Sequence, residues 1–326
     1  MISYKKIIFI CMFCYCQASF AADKPLIRLG ALAFGTVNWE LSAMQYAQLM
    51  ETEHYRLQVI KLANPQAGKI ALQSGAVDMI VADWVWVSQQ RALGRDYTFF
   101  PYSNTTGALV VPQDSAIKTL QDLRNKKMAV AGGELDKNSL LLRALMTKQG
   151  QADVFASMAK IYGAPPLLAQ EMRHKRADAL LTYWHYAARM EADGFRILLT
   201  GNDILQGLGI QAQVPSIGYV FSKQWAQQNQ QAIQHFFAST RQVKNDLCIN
   251  DTAWKGISHL THAKTSQENQ LLRSRYCDGR ILSWGGKEVE AAAEVYQYLK
   301  KVSHNRLTKH AEKLEKGVFW EQGISK

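Results

Sequence analysis

Three short stretches carry the residue types that could do chemistry. Asp83-Trp84-Val85-Trp86 and Tyr183-Trp184-His185-Tyr186 place large flat rings beside a polar or ionisable group. Such rings stack on planar molecules and draw cations to their faces, so the chemistry they serve is capture, not bond-making. The third, Gly132-Gly133-Glu134-Leu135-Asp136-Lys137-Asn138-Ser139, sets small residues ahead of a helix start. Exposed N–H groups there favour an anion, with Asn138 or Ser139 in contact with it. Plain helix capping accounts for Asp136, Asn138 and Ser139 equally well. The run lacks the Gly-Lys-Ser/Thr of a phosphate loop and the glycine spacing of a dinucleotide fingerprint.

Signatures of bond-making chemistry are missing. The chain has no Gly-x-Ser-x-Gly elbow and no His-Glu-x-x-His helix. His259 and His262 form a lone His-x-x-His without a third ligand, which reads as solvated helix surface. His185 lies in reach of the presumed site and could act as a base, but no partner for it is visible. Asp78 and Asp178 follow turns and read as caps. No cofactor or metal is expected.

The chemistry needs elements to position it. Leu26 to Ala31 reads as a buried strand that ends in the turn Ala33-Phe34-Gly35-Thr36, with Trp39 opening a helical pattern. Leu57 to Leu62 is a second strand, Asn64-Pro65 opens a helix, and Asp78 to Ala82 is a third strand that runs into Asp83. The order repeats with Met128 to Ala131, Ser139 to Lys148, Met158 to Tyr162, Pro165-Pro166 and Asp178 to Thr182. A shift of one hundred residues lays Pro65 on Pro165, Asp78 on Asp178 and Trp84 on Trp184. Strands alternating with helices imply a parallel sheet covered on both faces, here twice. Polar stretches at 101–107 and 215–218 each enter a short apolar strand and read as crossings between two lobes. The expected division is a first lobe from 22–105 and 219–326, with the helical tail packed on it, and a second lobe from 106–218. In open sheets of this class, ligands sit beyond the carboxyl ends of the strands, where the aromatic stretches fall.

Composition sets the compartment and excludes some partners. The chain has 326 residues, 48% hydrophobic and 20% charged, with a formal net charge of +11. Its Lys and Arg are scattered, without the clustering that nucleic acid requires. Lys5-Lys6, the apolar run Ile7 to Cys16 and the small residues before Asp23 read as a secretory leader at 1–21, cleaved after Ala21. That run is about half the roughly 20 residues of a membrane span. Cys11, Cys14 and Cys16 leave with the leader, and none has a lipid-anchor context. Cys248 and Cys277 remain, an even pair that in an oxidising compartment is expected to form a disulfide; metal ligation is the weaker alternative.

Longer segments carry a resemblance. They are Leu72-Gln-Ser-Gly-Ala-Val-Asp-Met-Ile80, the run from Val110 to Val130, Ala177-Asp-Ala-Leu-Leu-Thr-Tyr-Trp184 and Ile217-Gly-Tyr-Val-Phe-Ser-Lys-Gln-Trp225. Over residues 26 to 240 the chain resembles the SsuA-like periplasmic solute-binding proteins of the nitrate/sulfonate/taurine (NitT/TauT) and thiamine-pyrimidine-precursor transporter family. The resemblance implies the α/β, type II periplasmic binding protein fold, with two βαβ-type lobes closing on a ligand. Its cleft would be lined by Phe34, Gly35, Thr36 and Trp39, by Asp83, Trp84 and Trp86, by Gly132, Gly133, Asp136, Asn138 and Ser139, and by Tyr183 and Trp184. It implies a monomer that delivers a small molecule to an inner-membrane ABC permease, without catalysis. Glu134 and Asp136 depart from the neutral donors of a simple oxyanion site, which speaks against nitrate or a plain sulfonate. Asp83, Asp136 and Glu40 lean towards an amine or heteroaromatic, the glycine-rich helix start towards an acid, and a zwitterion satisfies both. Two competing readings are a pyrimidine-forming enzyme on the same scaffold, which would need a cysteine cluster, and a ligand sensor for a receptor.

Overall fold

The computed structural model describes residues 24–309 and 311–321, so the expected leader lies outside the described residues. The first run of elements is β1 (Leu26–Leu32), α1 (Val37–Tyr46), β2 (Arg56–Leu62), α2 (Pro65–Gln73), β3 (Met79–Ala82), α3 (Trp84–Ala92) and β4 (Tyr97–Ser103). The second is β5 (Ala108–Pro112), β6 (Lys127–Ala131), α4 (Lys137–Lys148), α5 (Ala152–Ser157), β7 (Ala159–Gly163), α6 (Pro165–Arg173), β8 (Ala179–Thr182), α7 (Trp184–Ala192), β9 (Phe195–Thr200) and α8 (Gly201–Gly207). The repeat expected from the sequence is present: α2, β3 and α3 recur as α6, β8 and α7 at an offset of one hundred residues.

Local chemistry explains why the repeat starts where it does. The Asn64 side chain accepts from the Ala67 N–H at 2.9 Å and Pro65 occupies the first helical position, where its missing N–H does no harm. Asp78 and Asp178 do more than cap turns. Asp78 accepts from the Arg28 N–H at 2.9 Å and pairs with the Arg28 guanidinium, while Asp178 accepts from the Lys127 N–H at 2.8 Å. Each ties the start of β3 or β8 to the start of its neighbouring strand.

The two sheets share one plan, β2-β1-β3-β10-β4 and β7-β6-β8-β5-β9, with β10 (Ile217–Ser222) returning to the first. Both sheets are mixed, unlike the purely parallel sheets expected. β10 runs antiparallel to β3 and β4, and β5 antiparallel to β8 and β9. The reason is topological. A strand arriving from the other sheet enters at the end where the parallel strands finish, so it must run against them.

The tail comprises α9 (Lys223–Gln228), α10 (Gln230–Ile249), α11 (Asp251–Thr261), α12 (Ser266–Asp278) and α13 (Gly286–Ser303). α10 and α11 pack on α1, as expected of a tail on the first lobe. α12 instead lies along α7, and α13 lies along α4, both elements of the second sheet's unit. The chain then comes back, and residues 318–320 line β4, with the Phe99 N–H donating to the Val318 carbonyl and the Trp320 N–H to the Phe99 carbonyl at 2.7 and 2.9 Å. Two connections therefore join the units beyond the two crossings read from the sequence. The largest core cluster includes Trp84 and Ile80 from one unit, Leu109 and Leu145 from the other, and Tyr296 and Leu299 from α13. No helix among the described residues is long and apolar enough to cross a membrane.

The structure pairs Cys248, in the last turn of α10, with Cys277, in the last turn of α12, at a Cα separation of 5.6 Å. The bond sits beside a crossing. Gly279, two residues on, accepts from the Asn104 N–H at 2.9 Å. Replacing both cysteines with serine is expected to lower unfolding free energy by about 3–4 kcal/mol, the chain-entropy estimate for a loop of this size. Guanidinium titration of the variant measures the loss. Ligand affinity is expected to shift with it, because Gly279 holds the crossing.

Candidate functional site

Just past the carboxyl ends of the strands, Asp83 meets Lys137 and Trp39 meets Trp184 across the two units, so the candidate site is built there from four turns and a crossing. In the β1–α1 turn, Gly35 has a φ of +102°, a conformation that glycine adopts without strain. The Asn38 side chain donates to the Leu32 and Gly35 carbonyls at 3.1 and 3.2 Å and pins the turn. Phe34 is 63% exposed at its tip, and Thr36 precedes α1 without a capping bond from its side chain. Trp39 is buried, its Nε1 donating to the Leu260 carbonyl at 3.1 Å.

Glu40 follows as a buried carboxylate. Its Oε1 accepts from Tyr102 Oη at 2.8 Å and Tyr276 Oη at 2.5 Å, and pairs with Lys244 Nζ at 3.1 Å. Burial pushes both phenols well above their usual range, and the Glu40 charge adds to it. Burial pulls the Lys244 ammonium down, opposed by Glu40. Glu40 Oε2 is buried and has no protein partner.

The β3–α3 junction corrects an expectation. Asp83 caps α3, accepting from the Trp86 N–H at 3.0 Å, and reaches Lys137 of the other unit at 3.6 Å. Desolvation would raise its pKa, but Lys137, Lys69 and the Trp86 N–H outweigh that and hold it below the usual carboxylate range. Trp84 and Trp86, expected as walls of the cleft, are core residues. Trp84 is 3% exposed, donates to the Pro215 carbonyl at 2.8 Å, and packs between Tyr296 and Phe319. Trp86 stacks on Tyr97, with Lys69 Nζ 5.2 Å above its ring. The surfaces that cover Trp84, α13 and residues 318–320, come from the far end of the chain.

In the β6–α4 turn, Gly132 has a φ of +91°, and a Cβ there would stand 3.1 Å from Tyr183 Oη. Gly133 is exposed. Asp136 accepts from the Asn138 and Ser139 N–H groups at 3.0 and 3.2 Å, so capping takes up those two donors of the α4 start. Burial raises the Asp136 pKa, with Lys137 opposing it. Ser139 is buried, and Asn138 Oδ1 accepts from the Gly107 N–H at 3.3 Å. Glu134, read as part of the departure from an oxyanion site, makes a bidentate pair with Arg306 at 2.7 and 2.9 Å.

The β8–α7 turn reaches across the seam. Trp184 stands edge-on to Trp39 with ring centroids 6.0 Å apart, and its ring lies 6.4 Å from Tyr276. Arg189 pairs with Glu268 and donates to the Thr261 carbonyl at 2.6 Å, while Arg275 holds Glu191 at 2.8 and 3.2 Å. Burial, with Arg189 adding to it, pushes the His185 pKa down to about 4, so its ring is neutral at neutral pH. His185 Nδ1 and Thr182 Oγ1 are buried without a protein partner.

Two further residues belong here that the sequence reading missed. Asn104, in the first crossing, donates through Nδ2 to Gln213 Oε1 at 2.6 Å and to the Arg280 carbonyl at 3.4 Å. That leaves its buried Oδ1 without a protein partner. Thr182 closes β8, and its carbonyl lies 2.5 Å from where a Cβ at Gly107 would be. The only sequence signal for Asn104 was its place in the polar stretch 101–107. Among the described residues, no cluster of three or more His, Cys, Asp or Glu could hold a metal ion.

This architecture matches solved structures. The periplasmic aliphatic sulphonate binding protein SsuA of Escherichia coli superposes with a TM-score of 0.69 at 18% identity, over 91% of this chain and 92% of that one. The alkanesulfonate-binding SsuA of Xanthomonas axonopodis pv. citri, bound to MOPS, gives 0.63 at 16% identity over 92% and 99%. An ABC transporter protein of Parabacteroides distasonis gives 0.65 at 12% over 92% and 100%. No curated protein sequence matches the chain. At these identities the likeness establishes the fold, that of type II periplasmic binding proteins. The model of the NMT1/THI5 like family matches residues 55–248, more than half of the sequence, and the chain belongs to that family.

Proposed function

We propose that this protein is the periplasmic solute-binding component of an ABC importer, exported by the leader at 1–21 and working as a monomer with an inner-membrane permease. One observation carries the reading. Asn104 Oδ1 in the first crossing and Thr182 Oγ1 and His185 Nδ1 at the end of β8 and the start of α7 are buried polar atoms without protein partners. Buried polar atoms are nearly always satisfied, so each exception calls for a partner such as water or a bound solute. The family and the fold agree with a two-lobed carrier.

The lobes are read as 22–105 with 219–326, and 106–218, with α13 as a strap between them. The ligand is a small organic molecule, zwitterionic, heteroaromatic or sulfonate-type, and its aromatic contacts come from Phe34, Tyr183 and Trp184. Lys137 and Asp83 close one side of the cleft. An enzyme on the same scaffold is the competing reading, and the fate of the bound molecule separates the two. Mass spectrometry of protein purified without denaturant is expected to release one small organic solute, which on re-addition binds with one-to-one stoichiometry and is recovered unchanged. Conversion of that solute would replace the carrier with an enzyme, and release of nothing would remove the main support for either.

A further inference from the structure

α12 touches both units, and contacts of different kinds hold it to each. Towards the first unit the ties are covalent or buried. Cys277 is bonded to Cys248 of α10, and Tyr276 Oη donates to Glu40 of α1 at 2.5 Å. Arg273 donates to the Leu247 and Cys248 carbonyls at 3.0 and 3.3 Å. Nearer the start of the helix, Asn269 accepts from Trp254 Nε1 of α11 at 3.2 Å. Leu272 and Tyr276 share a core cluster with Ile27, Leu29 and Trp254. Both ends of α12 are anchored in this way, so it belongs to the first unit although it lies along α7 of the second.

Towards α7 the contacts are mostly charged. Arg189 pairs with Glu268 and reaches the Thr261 carbonyl at 2.6 Å, and Arg275 forks onto Glu191 at 2.8 and 3.2 Å. Trp184 adds its edge against Trp39 and a tilted contact with Tyr276. The Arg275, Glu191 and Arg189 side chains keep 36%, 19% and 20% of their surface in water. Ion pairs open to water contribute little net energy, because solvent competes for both charges, so a seam of this kind parts at small cost. The other bridge between the units is unlike it. Tyr296 and Leu299 of α13 sit in one continuous apolar core with Trp84 and Leu145, and separating those would expose apolar surface.

We infer that α12 travels with the first unit, that the α7–α12 seam is the one that parts when the units separate, and that the pairs Arg189–Glu268 and Arg275–Glu191 latch it shut. This step rests on the two-lobed carrier reading. Arg189 and Glu191 lie at the end of α7 remote from Trp184 and the strand ends, so they set how much of the protein is shut and act as positioning residues. The latch biases an equilibrium between two arrangements of rigid units.

Distances between two spin labels test it, with Lys255→Cys on α11 and His174→Cys at the end of α6 as exposed attachment sites. The full chain is washed free of solute in guanidinium and refolded before measurement. The wild type is expected to show a short and a long distance. In Glu191→Gln and in Arg275→Gln the ratio of short to long should fall about two- to fivefold, the range for one exposed pair. One molar salt should do the same to the wild type and change the variants less, because it screens charges beyond about 3 Å. The exchange Arg275→Glu with Glu191→Arg should return the ratio towards wild type, which a merely structural role for either residue would not do. Equal ratios in the wild type and both glutamine variants overturn the latch, as does an exchange variant no better than the singles. If the solute released from the native protein shortens the distances when added back while the variants match the wild type, the carrier reading stands and the latch falls. If that solute and the variants all leave a single distance unchanged, the units do not part and the two readings fall together.

Discussion

Lys244→Met is expected to lower unfolding free energy by about 3–5 kcal/mol, the usual result of stranding one buried charge. The Lys244 ammonium is enclosed by four groups from distant parts of the chain. It pairs with Glu40 at 3.1 Å, donates to the Tyr102 carbonyl at 2.7 Å, and lies 3.7 Å from the centre of the Tyr102 ring and 5.5 Å from that of Tyr276. Removing it leaves Glu40 buried with only two phenols to hold its charge. The double variant Glu40→Gln with Lys244→Met should recover much of the loss. A glutamine oxygen still accepts from both tyrosines, and no charge remains to be desolvated. Guanidinium titration of the wild type, both single variants and the double gives the coupling directly. If Lys244→Met alone unfolds at the wild-type midpoint, the pair is not what anchors α1, α10 and α12 beside the crossing.

Trp84→Ala is expected to cost about 3–5 kcal/mol as well, the range for emptying a large aromatic site in a core. The indole packs between Tyr296 of α13 and Phe319 of the segment 318–320, and its N–H holds the Pro215 carbonyl at the entrance to the second crossing. Three parts of the chain lose a common anchor. Trp184→Ala should behave differently, because that ring is half-buried and bridges the units through Trp39 and Tyr276. Its effect on melting should be smaller and its effect on ligand affinity larger. Melting curves and calorimetry on the two variants side by side decide the matter. A Trp84→Ala protein of near wild-type stability that fails to bind ligand would restore Trp84 to the cleft wall.

The pairing of Trp84 with Trp184 shows how far local pattern reaches. Both follow a short buried strand and open a nine-residue helix, and both helices begin one hundred residues apart. That much is set by neighbours in sequence: a strand of apolar residues, a turn and a helix start, each decided by contacts within a few positions. The Asn64 cap and the prolines at the starts of α2 and α6 are of the same kind. The disulfide was an expectation of this kind too, since only Cys248 and Cys277 lie outside the expected leader. Equal placement in the repeat implied equal roles, and there the pattern misled. One indole became core and the other became a bridge, because α13 and residues 318–320 cover the first unit's junction alone.

The sequence by itself determined the element order, the repeat and the two crossings. All of these follow from periodicity, capping or counting, which are local or nearly so. Tertiary structure decided which side of each sheet is covered, where α12 and α13 go, and which polar atoms are left without partners. Glu40 meets Tyr276 across 236 positions and Asn104 meets Gln213 across 109. Whether a carboxylate or amide is satisfied depends on every group that arrives around it. No single stretch of chain carries that information, because the partners that saturate Asn104 Nδ2 and bypass Asn104 Oδ1 come together only when both units and the tail have packed.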